Sequence, residues 1–204
     1  MKIFFGLLFL ITSNVVFSQC PVAPINQPND EARKLSVNGL SKFMVCHSGD
    51  REDRSPCNTF ASQGLSSIWG ISDFGTDNNT FLSANQIWEK VNSSGSKWSS
   101  LGDVFDEDNN LCAQSLANSG WAVIAVMKGT NNGHGHVALV IPGELQKVPS
   151  WGMLAANSAS FLLDEPTKGY ISKPLSFAFS KTKASEARFF YQGRRIMHAP
   201  NNQE

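Results

Sequence analysis

Two residues in this chain stand where nucleophilic chemistry would need them. Cys57 follows Pro56, and proline is tolerated at a helix start, where its missing N–H has no intrahelical partner to lose. Phe60, Gly64, Leu65 and Ile68 then continue on one helical face. The spacing predicts a helix that begins at or next to Cys57. A cysteine there meets the positive end of the helix dipole and unpaired backbone N–H groups, and both favour the thiolate. The second residue is His136, which opens the apolar run His136-Val-Ala-Leu-Val-Ile. Strand alternation puts its side chain on the face of Ala138 and Val140, at a sheet end where the glycines of Gly133-His-Gly135 let another backbone come close. A base on a strand end opposite a thiolate at a helix start is the geometry a Cys/His pair requires. His134 has the same parity but falls in the turn and reads as solvent-exposed.

Each of these residues also has a plainer reading. Cys57 paired with Cys46 would close the loop between them as a disulfide, and a histidine beside an apolar strand is often a hydrogen-bonded structural group. His134-Gly-His136 is also a His-x-His pair of the kind some zinc peptidases place on a strand. Those enzymes need an upstream His and Asp pair, and the only candidate, His47-Ser-Gly-Asp50, has a spacer one residue short of that pattern. A third reading is a secreted binding module, in which Trp69, Trp88, Trp98, Trp121 and Trp151 form a glycan-binding face and Cys57 is structural. A contiguous exposed patch of these rings favours the module, whereas their burial as core or cleft-wall aromatics favours the enzyme.

The elements that must position Cys57 and His136 follow from pattern. Asn29-Asp30 precede Ala32, Leu35, Leu40, Phe43 and Met44 at roughly helical spacing, which predicts a capped amphipathic helix over residues 30–45. A polar loop from His47 to Ser55 separates it from the Cys57 helix. Ser83 with Gln86 three residues on is a capping-box pattern that opens a third helix carrying Ile87, Trp88 and Val91. A fourth, shorter helix is expected from about Leu111 to Asn118, stopped by Gly120. The character then changes, since Trp121 to Met127 and Val137 to Ile141 are unbroken apolar runs of strand length, joined by the loop Thr130-Asn-Asn-Gly-His-Gly as a hairpin. Further strands are expected over Leu154 to Leu163 and Ala187 to Gln192, with Leu175 to Phe179 a weaker strand pattern. Helices first and an antiparallel sheet second is the layout of an α+β domain.

Composition bounds the rest. The chain has 204 residues, enough for one ordinary domain with its own core. Lys and Arg balance Asp and Glu at 17 each, so no basic field is available to hold a nucleic-acid backbone or an anionic membrane surface. Fourteen Phe and five Trp with only 17% charged residues exclude a disordered chain. Met1-Lys2 followed by an apolar run to Ile11 has the length of a signal peptide and is too short to span a bilayer. The expected organisation is a signal peptide over 1–19 and a single domain over 20–204, with no transmembrane segment in the mature chain. Export to the periplasm or beyond puts Cys20, Cys46, Cys57 and Cys112 where disulfides persist. A lipid anchor on Cys20 requires a small residue before it, and Gln19 stands there. If Cys57 is free, one pair and one odd thiol are expected, and Cys20, Cys46 and Cys112 allow three choices. Oligomeric state is left open.

At this point the residues resemble the papain-like bacterial hydrolases grouped as NlpC/P60 and CHAP, most of which cut the peptide part of peptidoglycan. The resemblance lies in Pro56-Cys57-Asn58-Thr-Phe60 at the helix start, the strand pair Gly120 to Val126 and Gly135 to Gly143, and Ala155-Ala-Asn157 on the next strand. It covers about residues 50 to 160 and implies a papain-like fold with a catalytic core of about 45–195. It also implies a third polar residue after the histidine strand, and Asn157 matches by position as the group that orients the imidazole. The implied activity is hydrolysis of amide bonds in peptidoglycan stem peptides through a Cys57 thioester, with His136 as acid and base, and with no cofactor or metal. Two features depart from the family: Pro-Cys-Asn-Thr replaces the frequent Asp-Cys-Ser-Gly or Gln-Cys-Thr-Trp, and no Glu stands two residues before Asn157. The subfamily, and so the bond cut, stays open.

Overall fold

The computed structural model describes residues 20–25, 27–44, 57–75, 80–130, 133–162 and 168–195, with Cys57, Arg194 and Arg195 described by backbone alone. Residues 1–19, expected as a signal peptide, residues 47–55, expected as a polar loop with His47 and Asp50, and Cys46 lie outside these residues.

Local sequence signals account for the helices. Helix α1 (Asp30–Ser41) is capped by Asn29, whose side chain accepts from the Ala32 N–H. It stops short of the expected residue 45, because Phe43 and Met44 turn back onto Leu40 and Ser41 with three-residue hydrogen bonds. Helix α2 (Cys57–Trp69) begins at Cys57 as expected. Helix α3 (Ala84–Asn92) carries both hydrogen bonds of the Ser83/Gln86 capping box. Helix α4 (Glu107–Asn118) starts four residues before the expected Leu111. Asp106 caps it, accepting from the Asn109 N–H at 2.9 Å, and Glu107 and Asp108 sit at the positive end of its dipole. Gly120, at φ 83°, follows its end. A one-turn helix, α5 (Lys181–Ala184), follows a 3-10 turn at Leu175–Phe177, where the sequence carries a weaker strand pattern.

The strands are β1 (Ser99–Asp103), β2 (Trp121–Met127), β3 (His136–Val140), β4 (Gln146–Val148), β5 (Met153–Ala155), β6 (Asn157–Ser160), β7 (Tyr170–Pro174) and β8 (Arg188–Arg195). Six of them form one antiparallel sheet in the order β1-β8-β2-β3-β6-β7, while β4 and β5 make a separate ribbon. The single strand expected over 154–163 is thus two, broken at Ala156, whose N–H is taken by Asn110 and whose carbonyl accepts from Leu175. β2 and β3 pair as the expected hairpin, with Met127 opposite His136 and Val123 opposite Val140.

Alternation along these strands feeds two cores. Ala122, Ile124 and Val126 of β2, Val137 and Leu139 of β3, and Ala159 of β6 face a layer built from α1, α2 and α3. Val123, Ala125, Ala138 and Val140 face α4 and the segment from Leu175 to Ala187. The first layer is tight at Gly64, where a Cβ would lie 2.6 Å from Leu40 and 2.9 Å from Leu139. The molecule is therefore α+β, with helices on both faces of the sheet where the sequence suggested helices packed on a sheet without saying how they divide.

The second layer holds a row of buried amides on α4. Asn110 donates to the Val104 carbonyl and accepts from the Ala156 N–H. Gln114 donates to Ile141 and accepts from Asn157, and Asn118 exchanges both hydrogen bonds with Gly143. Three amides at four-residue spacing thus satisfy the backbone of irregular chain that has no strand partner there. A disulfide between Cys20 and Cys112, 92 residues apart, ties the chain start to the same helix.

Candidate active site

The backbone of α2 sets where Cys57 lies. Phe60, in the first turn, packs against Phe161 just beyond β6, with ring centroids 6.3 Å apart. At the other end, the Trp69 indole N–H donates to the Gly120 carbonyl at 3.1 Å, next to the start of β2. Because β2 and β3 are antiparallel, the first turn of α2 lies at the sheet end where β3 begins. Cys57 and His136 therefore share one end of the sheet.

The imidazole itself has defined surroundings. Its parity with Ala138 and Val140 is as expected, but that face carries α4 and the Leu175–Ala187 segment, whereas α2 covers the face of Val137 and Leu139. The ring stands edge-on to Phe179, at 5.3 Å between centroids and 75° between planes. Its Nε2 is 2.8 Å from Ser160 Oγ. Ser160 is buried and also reaches the Val137 carbonyl, at a long 3.4 Å, so its single proton has an acceptor. Ser160 Oγ can therefore accept from an Nε2–H or donate to Nε2, according to the ring tautomer, and either way it pins the Nε2 side of the imidazole. Burial, then the Lys183 cation of α5, hold the His136 pKa down from 6.5 to about 4. The residue as a whole is only half-buried, so it is the packing around the ring, not complete enclosure, that disfavours the imidazolium. At neutral pH the ring is an uncharged base.

Asn157 lies elsewhere. Its carbonyl oxygen accepts from Ile141 N–H, five residues along from His136 and ~17 Å away at strand rise. Its carboxamide donates to the Pro142 carbonyl and accepts, at 3.3 Å each, from Gln146 and Ser172. The ring-orienting contact that the resemblance assigned to Asn157 is made in this structure by Ser160. The register explains the difference, since Leu139 pairs with Ala159 and the next residue, Ser160, is the one carried toward His136. Strand parity offered the signal, because Ser158 and Ser160 alternate with Ala159, but it becomes readable only once the register is known.

The surroundings bear on the other readings. Trp69, Trp98 and Trp151 are buried, while Trp88 and Trp121 are half-buried against Phe190 and Tyr191. Among the described residues the exposed large apolar side chains are Leu154 and Phe177, and neither is a tryptophan. His134 is exposed. Among the described residues, no three His, Cys, Asp or Glu side chains gather as metal ligands, and the His47 and Asp50 of the zinc reading are outside them. No described helix is long and apolar enough to cross a membrane. No protein-family model matches this chain, and no curated protein matches it either.

Proposed function

We propose that this chain is an exported, papain-like cysteine hydrolase of the NlpC/P60 kind that cleaves amide bonds in peptidoglycan stem peptides. The observation that carries the reading is that α2 opens with Cys57 at the sheet end where β3 opens with His136, whose Nε2 lies 2.8 Å from Ser160 Oγ. In this reading Ser160 accepts from an Nε2–H and Nδ1 is the base. Nδ1 of His136 takes the thiol proton, and the N-terminal dipole of α2 favours the thiolate. The thiolate attacks the amide carbonyl carbon and the C=O electron pair moves to oxygen. Collapse of that adduct breaks the C–N bond, and the imidazolium gives its proton to the departing amine. Water, deprotonated by Nδ1, then attacks the thioester and releases the carboxylic acid and the thiol. The ring and α2 lie on opposite faces of the sheet, so this reading requires the two groups to meet around the end of β3 and not across the sheet.

Export is supported by the Cys20–Cys112 disulfide, a bond that persists in oxidising compartments. With its sulfur in that bond, Cys20 is not free to carry a lipid thioether. A second reading, a non-catalytic peptidoglycan- or glycan-binding module, is favoured by the enclosure of His136 between Ser160 and Phe179, as a structural histidine would be. The test is muropeptide release from purified peptidoglycan: Cys57→Ala abolishes it in the hydrolase reading while folding and binding persist, and EDTA leaves the wild type active. Release by Cys57→Ala at the wild-type rate rejects the nucleophile.

A further inference from the structure

The hairpin that delivers His136 is held by another element. Asn85, the second residue of α3, donates to the Gly133 carbonyl at 3.2 Å and accepts from the Gly129 N–H at 2.8 Å. One carboxamide thus spans both sides of the β2–β3 loop. The loop is built around that contact, because a Cβ on Gly135 would lie 2.5 Å from Asn85 Oδ1 and 2.5 Å from the Met127 carbonyl. A Cβ on Gly129 would lie 2.0 Å from the Gly133 carbonyl. Both polar atoms of the Asn85 carboxamide are thus committed to the loop.

The same end of α3 leads to the Cys57 helix. Asn58, next to Cys57, donates from its Nδ2 to the Leu82 carbonyl at 2.8 Å, immediately before the Ser83 cap. Two amides in series therefore join the start of α2 to the start of α3, and the start of α3 to the loop that ends in His136.

We infer that Asn85 is a positioning residue for His136: it fixes the hairpin loop relative to the start of α2 and so sets where the imidazole stands with respect to Cys57. The inference rests on the hydrolase reading for its consequence in turnover, and on geometry alone for its consequence in the ring. Burial is the larger cause of the lowered basicity of His136, with the Lys183 cation of α5 second. Freeing the loop admits water to the ring and raises its titration midpoint toward the ordinary histidine value.

The experiment compares Asn85→Ala with Gln86→Ala, which removes the capping-box amide from the same helical turn but no loop contact. The ring C–H resonance of His136 is followed by NMR against pH, and hydrolysis of a soluble muropeptide is timed in parallel. Asn85→Ala should move the midpoint up from about 4 and slow turnover on the order of 10- to 100-fold, the scale of a misplaced catalytic group. Gln86→Ala should leave the midpoint where it is. A midpoint unmoved in Asn85→Ala, or moved equally in Gln86→Ala, overturns the inference. Should Asn85→Ala not fold, hydrogen exchange in the wild type decides: the Gly129 amide lies outside β2 and should nonetheless exchange slowly, whereas exchange at the free-peptide rate overturns the clamp. If neither wild type nor variant cleaves muropeptides, the hydrolase reading fails while the ring titration still tests Asn85.

Discussion

Acidification should weaken this fold through His136 before most carboxylates titrate. Above its ordinary value of 6.5 the ring is neutral in the folded and the unfolded chain, and it contributes no pH dependence. As pH falls below 6.5 the unfolded chain takes up a proton that the folded ring, held to about 4, refuses. The unfolded state then binds more protons, so stability falls with pH until the folded ring also protonates. At ~1.4 kcal/mol for each tenfold difference in proton affinity, the loss is about 2 kcal/mol by about pH 5 and roughly 3 kcal/mol below pH 4. Solvent reaching the half-buried residue screens part of this, so these figures are upper limits. Urea titrations at about pH 7 and about pH 5 measure it, with His136→Gln as the comparison that cannot titrate. The wild type should lose more stability between the two pH values than the variant by up to ~2 kcal/mol. Equal losses would refute the enclosure of the ring between Ser160 and Phe179.

Two further outcomes follow from single contacts. Ser160→Ala leaves the buried Nε2 without its hydroxyl partner and should cost about 1–3 kcal/mol in denaturant titrations. The same change should slow muropeptide release more than Asn157→Ala does, since Asn157 bonds to Pro142, Gln146 and Ser172 and not to the ring. Cys112→Ser opens a disulfide that spans 92 residues, and by loop entropy it should lower stability by up to ~4–5 kcal/mol, measured as a shift in urea midpoint against the oxidised wild type.

The elements that could be read from sequence were those with a local physical cause. A seven-residue apolar run can hardly be anything but a buried strand, and β2 has the bounds its residues suggested. The Ser83/Gln86 pair marked α3 through two reciprocal hydrogen bonds that need no tertiary contact. β1 and β7 went unread because Ser-Ser-Leu-Gly-Asp and Tyr-Ile-Ser-Lys-Pro carry little apolar alternation; pairing with β8 and β6 makes them strands. The start of α4 hid among five polar residues, although Asp106 followed by Glu107 and Asp108 has the charge pattern of a helix start. At the site, the sequence indicated that His136 shares a face with Ala138 and Val140. Which helices cover that face is a matter of tertiary packing, and α4 covers it while α2 packs on the other. The orienting partner depended on strand register, set by the break at Ala156 that no local pattern announces.

The central claim is that Cys57 is a free, activated thiol served by His136. Iodoacetamide labelling at about pH 6, where an ordinary thiol is almost wholly protonated, tests it when the alkylated residue is mapped by mass spectrometry and residual activity is followed in the same samples. Cys57 should be labelled, muropeptide release should be lost in proportion to that labelling, and Cys57 should be labelled far more slowly in His136→Gln. Recovery of Cys57 in a disulfide with Cys46 from active protein, or full activity after Cys57 is completely alkylated, would contradict it.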